Sequence, residues 1–328
     1  MTDLIQPALT TEQIVAVATA AGRAPSVHNT QPWRITMRRG VLYLSADGDR
    51  RLPVADPYGR EMHISCGAAL YNMVLSLRHL GRRPAVRLLP DPDYPHRLAA
   101  VSPDGGPGPS DGDDDRFAAI PLRHTYRGAF TVDPVPEELL RVLRRAAVHE
   151  RAELTTYDGA DVRVLATVTE LASYIHARDG AYATEHNRWM RAAGTARADG
   201  IHPSHVPAAG PRGEPHFPPR FVDEARQATT VAPATPGTVA VLSTRGDTPR
   251  EWIHAGLAVQ RVLLQLTAAG HAAALHTQPL ELPHLRDFLA GEFTPGRRPQ
   301  MLLRIGRPDR AFEQAPAAPR RPVTEILR

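Results

Sequence analysis

Apolar positions along this chain switch between two periods, and the switches mark its elements. From Thr10 to Ala21, Ile14, Val17, Ala18 and Ala21 recur at helical spacing, with Thr10 or Thr11 as cap and Glu12 and Gln13 in the first turn, so a helix is predicted that ends near Gly22. Trp33 to Met37 and Val41 to Leu44 alternate on either side of Arg38-Arg39-Gly40, the pattern of a hairpin. Asp56-Pro57-Tyr58-Gly59-Arg60-Glu61 reads as a cap and turn. It leads into an apolar run through Ile64, Cys66, Ala68, Leu70, Met73, Val74, Leu77 and Leu80, a mostly buried helix closed by Gly81. Residues 84–89 and 98–101 are strand candidates, and residues 103–115, rich in Gly, Pro and Asp, read as a linker with a solvated acidic run at its end.

The pattern then starts again. Pro136 to Ala147 repeats the first helix, with Glu138 falling on Glu12 and Leu140 on Ile14, an offset of 138 − 12 = 126. Gly256 and Gly270 repeat Gly67 and Gly81 with an apolar helix between them, an offset of 256 − 67 = 189. A tandem duplication is therefore expected, the first copy spanning 1–116 and the second 117–328, with 189 − 126 = 63 extra residues in the second copy. They fall at 177–237, crowded with Gly, Pro, His and Arg, where a segment so long within a domain reads as a lid or a disordered insert. Within it, residues 183–197 could form a short helix. After it come strand candidates at 238–244, 272–276 and 299–305, a helix through Leu285 and Leu289, and a basic-then-apolar tail at 321–326.

Composition narrows the chemistry. With 328 residues, 42% of them hydrophobic, the chain can bury one or two cores. No apolar run of membrane-spanning length and no signal pattern stands out, so a cytoplasmic protein without membrane partners is expected. Lysine is absent and all 39 basic residues are arginines, which excludes a lysine Schiff base and leaves guanidinium groups as the ligands for any anion. The net charge of +4 is small and dispersed, which argues against nucleic acid. The single cysteine, Cys66, excludes internal disulfides and reads as a buried small hydrophobe. His202, His205 and His216 have no carboxylate or cysteine at ligand spacing, so no metal is expected. No Gly-x-Gly-x-x-Gly follows a strand, and no Gly-x-Ser-x-Gly occurs.

Two stretches carry the functional signal: Pro25-Ser26-Val27-His28-Asn29-Thr30-Gln31-Pro32-Trp33, and Arg123-His124-Thr125-Tyr126-Arg127-Gly128-Ala129-Phe130. The first resembles the Pro-Ser-x-x-Asn-x-Gln-Pro-Trp signature of the FMN-dependent nitroreductase superfamily, and the second its arginine motif, which in that family precedes the first. Here their order is reversed. The first copy has no arginine motif upstream, and the second has Val148 to Ala152 where the Pro-Ser turn would stand. One complete site and one decayed site result. The pattern is similar to the Acg-type branch of single-chain pseudo-dimers with a lid, as are residues 56–61 and 188–191.

The resemblance implies an α+β nitroreductase-like fold duplicated in one chain, with mixed or antiparallel sheets flanked by helices. It implies one non-covalent FMN. It assigns Arg123, His124, Thr125 and Arg321 to the phosphate side, Arg127 to the N1-O2 end of the ring, Pro25, Ser26, Val27 and Asn29 to the turn covering the ring, and Gln278 to the N5 side. The implied activity is hydride transfer through flavin N5, with NAD(P)H as possible donor, to an electron-poor organic acceptor. The alternative is an FMN-sequestering or stress-response flavoprotein whose lid suppresses turnover. A monomeric pseudo-dimer or a weak homo-oligomer is expected.

Overall fold

In the computed structural model, which describes residues 8–128, 130–191, 195–202, 208–209, 215–218, 220, 223–227, 237–309 and 318–328, the apolar periods become elements much as the sequence predicts. Helix α1 (Thr11–Gly22) opens with a capping box, in which Thr10 Oγ1 accepts from Gln13 N and Gln13 Oε1 accepts from Thr10 N. Strands β1 (Trp33–Arg38) and β2 (Val41–Ala46) pair antiparallel across a two-residue turn in which both Arg39 and Gly40 have positive φ. Alternation puts Trp33, Ile35, Leu42 and Leu44 into the core. Helix α2 (Arg60–His79), strands β3 (Ala85–Leu88) and β4 (Arg97–Ser102) and helix α3 (Asp113–Ala119) follow.

The second half begins with α4 (Glu137–His149) and β5 (Ala152–Tyr157), then α5 (Gly159–His176), α6 (Gly180–Trp189), β6 (Ala208–Ala209) and β7 (Asp223–Gln227). It continues through β8 (Thr238–Thr244), α7 (Pro249–Ala268), β9 (Ala272–Leu275), α8 (Gln278–Glu281), α9 (Pro283–Phe293), β10 (Arg298–Gly306) and α10 (Val323–Ile326). The first sheet has the order β1-β2-β4-β3 and the second β5-β8-β10-β9, all antiparallel, so the two halves repeat one topology strand for strand. A hairpin joins β1 to β2, whereas residues 158–237 join β5 to β8. That connection includes α5, which covers the outer face of the second sheet through Val162, Leu165 and Val168. C-terminal α10 returns to the first half, where Leu327 bridges Ile35 and Ile326 joins its core.

The repeated glycines mark where the halves meet. A Cβ on Gly67 would lie 2.3 Å from the carbonyl oxygen of Ile253, and one on Gly256 would lie 2.1 Å from that of Ile64. Ile64 and Ile253 are themselves 189 residues apart, 253 − 64, so α2 and α7 cross on a pseudo-twofold axis at a distance only glycine permits.

One expectation needs correction. Residues 103–115 are not wholly linker, and their acidic run is not wholly solvated: α3 begins at Asp113, which is buried against Arg116 at 2.7 Å and Arg78 at 3.3 Å. Two cationic partners make burial of that carboxylate tolerable, and a local reading of the sequence does not show them.

Candidate functional site

Residues 25–31 take a backbone path that few side chains favour. His28, Asn29 and Gln31 all have φ near +50°, in the left-handed region where asparagine is tolerated and bulkier residues are strained. Buried hydrogen bonds impose the path. Ser26 Oγ accepts from Gln31 N at 2.9 Å, Gln31 Nε2 donates to Ala198 O at 2.8 Å, and Arg321 N donates to Gln31 Oε1 at 2.8 Å. Asn29 Nδ2 donates to Gly200 O and Pro319 O, and its Oδ1 accepts from Arg320 Nη1 at 2.7 Å. Pro25 is buried, and Val27 packs with Leu52, Ala55, Tyr182 and Trp189. Strain held in place by its surroundings is typical of functional sites.

The arginine motif reaches this turn from 100 residues away. Arg123 follows α3, is buried, and donates from Nη2 to Arg23 O at 3.5 Å. Its Nε and Nη1 meet no hydrogen-bond partner among the described residues. Arg320 also donates to Arg23 O, at 3.3 Å. Burial, then the charge of Arg127, holds the Arg123 guanidinium down to about 10. Burial, then Arg220, holds Arg127 down to about 10, and burial, then Arg123 and Arg23, holds Arg320 down to about 9. Arg127 depresses Arg123 and Arg123 depresses Arg320, and among the described residues no carboxylate relieves them. Such a site can accept a multiply charged anion such as a phosphate.

Beside it, buried His276 follows β9. Arg304 Nε donates to His276 Nε2 at 3.0 Å, and burial, then that cation, holds the imidazole well below its usual range and neutral. Gln278 donates to Pro218 O at 3.2 Å, and its Oε1 has no partner among the described residues.

The described parts of 177–237 close around this group. Helix α6 lies on Val27, Leu52 and Ala55, residues 198–200 meet the strained turn, and Phe217 returns to His276 with ring centroids 5.4 Å apart. Arg220 then ends among Tyr182, Thr277 and Glu281.

The structure thus gathers Pro25, Ser26, Val27, Asn29, Arg123, Arg127 and Gln278 around one region, with Thr125 half-buried at its edge. His124 is turned away: it is exposed and lines a separate pocket of about 160 Å³ with Leu122, Tyr126 and His271. Arg321 is occupied elsewhere, donating to the carbonyls of Gln31, Trp33 and Glu325, and its neighbour Arg320 faces Arg123. Sequence reasoning missed Arg320, whose only signal is the Arg-Arg-Pro doublet, and Arg220, Arg304 and Glu281, which carry none. In the second half two residues join α4 to β5, so no counterpart of the 25–31 turn exists there. Cys66 is buried, with its Sγ 3.2 Å from Pro32 O, and burial pushes its thiol up. His205 and Ala129 lie outside the described residues. Among the described residues no group of three His, Cys, Asp or Glu side chains could hold a metal, and no helix is long and apolar enough to cross a membrane.

No family model matches the chain. It is 34% identical over 326 residues to "Putative NAD(P)H nitroreductase Rv3131" of Mycobacterium tuberculosis, covering 96% of this chain and 91% of that protein. It is 30% identical over 322 residues to "Putative NAD(P)H nitroreductase acg" of the same organism, covering 97% and 96%. Among solved structures it is similar to the FMN-dependent nitroreductase NfnB from Mycobacterium smegmatis in complex with NADPH, with a TM-score of 0.40 and 19% identity over 66% of this chain and 99% of that one.

Proposed function

Because the chain belongs to the family of NAD(P)H nitroreductases that includes Acg, we propose that it binds one FMN where its halves meet and passes hydride from NAD(P)H to an electron-poor organic acceptor. The observation that carries this reading is the group of buried Arg123 with half-buried Arg127 and Arg320, in which Arg127 depresses Arg123, Arg123 depresses Arg320, and no compensating carboxylate stands among the described residues. An FMN phosphate fits the unpartnered Nε and Nη1 of Arg123 and would relieve the repulsion between Arg123 and Arg320. FMN would supply a ring that accepts and returns hydride. Arg127 would place positive charge where negative charge gathers on reduction. Pro25 to Asn29 would cover the ring, and Gln278 would stand on the N5 side. In this reading residues 1–116 supply the turn and 117–328 the arginines, with 177–237 as the cover.

Flavin released by heat and measured against protein should approach one per chain; a ratio near two, or no flavin uptake at all, refutes the reading. Anaerobic NADPH should bleach the bound flavin, and a nitro or quinone acceptor should recolour it.

A second reading, an FMN-sequestering protein with little turnover, is favoured by one observation. Residues 198–200 are bonded directly to the side chains of Asn29 and Gln31, so the cover rests on the turn itself. Under this reading dithionite bleaches the flavin and neither nicotinamide does.

A further inference from the structure

Segment 177–237 meets the rest of the molecule through contacts of two kinds. Those on the first half are hydrogen bonds and one half-buried ion pair: Asn29 Nδ2 and Gln31 Nε2 donate to Gly200 O and Ala198 O, Val54 N and Ala55 N donate to Glu185 at 3.0 and 2.9 Å, and Asp199 pairs with Arg50 at 2.7 Å. On the second half Phe217 packs against His276 and Pro218 O accepts from Gln278, and beside them lies an ion pair in the interior. The Arg220 guanidinium binds both carboxylate oxygens of Glu281, donates to Tyr182 Oη at 2.6 Å, and bonds Thr277 Oγ1.

Glu281 is only 1% exposed along its side chain and has a second carboxylate for a neighbour. Glu61, from the first half, is buried with Arg60 at 2.9 Å, and its Oε2 has no partner among the described residues. Burial, then the charge of Glu281, pushes the Glu61 carboxyl up to about 8. His176 lies 3.3 Å from Glu281, but burial holds it below its usual range and so limits its charge. Arg220 is therefore the principal cation on Glu281, and lifting it away would leave that carboxylate buried without its counter-ion. Arg220 also depresses Arg127 and His28, which places it beside the arginine site and the strained turn.

We propose that the Arg220–Glu281 pair is the latch that holds the described parts of segment 177–237, residues 180–191 and 195–202 among them, against the site, so that access to it requires this buried ion pair to part. The proposal rests on reading that segment as the cover, yet its test does not need flavin. Hydrogen–deuterium exchange is followed on the full, flavin-free chain, as wild type, Glu281→Gln, Arg220→Met, and the charge-exchanged double variant Arg220→Glu with Glu281→Arg. Glu281→Gln, close in shape to the original, should speed exchange at residues 180–189 and 195–202 at least tenfold while α2 and α7 keep their protection, and the exchanged pair should restore slow exchange. Unchanged exchange in both single variants overturns the latch. An equal rise in α2 and α7 also overturns it, because the pair would then hold the whole fold. If the chain takes up no FMN, the functional reading fails, but the exchange result stands by itself.

Discussion

Replacing Arg123 by methionine should move two quantities in opposite directions: it should stabilise the flavin-free protein and weaken its hold on FMN. The guanidinium is 6% exposed, gives one long hydrogen bond to a carbonyl, and leaves Nε and Nη1 unpartnered among the described residues. Its fall from the ordinary guanidinium range to about 10 corresponds to roughly 3 kcal/mol at ~1.4 kcal/mol for each tenfold change. The sign follows from linkage. A base depressed in the folded state binds its proton more readily when unfolded, so stability recovers only as pH rises above about 10, and at pH 7 the whole penalty is present. Methionine keeps most of the apolar stem, so a net gain of about 1–2 kcal/mol is expected after the contact with Arg23 is lost, a rise of roughly 2–4 °C in Tm. With FMN the effect reverses. Loss of charge-assisted hydrogen bonds to a phosphate, about 1.5–3 kcal/mol, weakens affinity roughly ten- to a hundredfold. Scanning calorimetry of the flavin-free protein and isothermal titration with FMN at pH 7 measure the two. If Tm falls while affinity is unchanged, Arg123 is a structural residue and the site has been misplaced.

Arg320→Ala should lower FMN affinity by a comparable factor with little change in Tm. Arg321→Ala should instead lower Tm, because it releases the tail from the carbonyls of Gln31 and Trp33; the same two measurements separate them. Gly67→Ala should destabilise by about 1–3 kcal/mol or prevent folding, since its Cβ would meet Ile253 O at 2.3 Å. Gly81→Ala, with φ +77° and open space around it, should lose only about 1 kcal/mol in urea melts. His186 is held down to about 4 by burial, then by Arg220, so the unfolded chain binds its proton first and stability falls as pH drops from 6.5 towards 4. Melts between pH 7 and 4.5 should show a shallower slope for His186→Phe, and an unchanged slope would discount this contribution.

The sequence by itself determined the duplication and most of the elements, though not α3, β5 or α5. Alternation at Trp33 to Met37 and the apolar run at 238–244 are local properties that the sheets reproduce, and the Gly67 and Gly256 spacing is legible because identical crossings demand identical small residues. The turn could also be read in part, since Ser26 Oγ bonds Gln31 close in sequence and Asn29 tolerates positive φ, whereas the partners of the Asn29 side chain lie far off along the chain. Tertiary structure alone decided which charges meet. Adjacent arginines point apart, so the path of the tail, and not the Arg-Arg-Pro doublet, turns Arg320 towards Arg123 and ties Arg321 to the first sheet. His124 faces away from Arg123 for the same reason of neighbouring directions. Arg220 and Glu281 are 61 residues apart and Glu61 is 220 from Glu281, so no local pattern announces their meeting. Charge is long-ranged in a dry interior, and its partners are set by the fold, whereas hydrophobic period is written residue by residue along the chain.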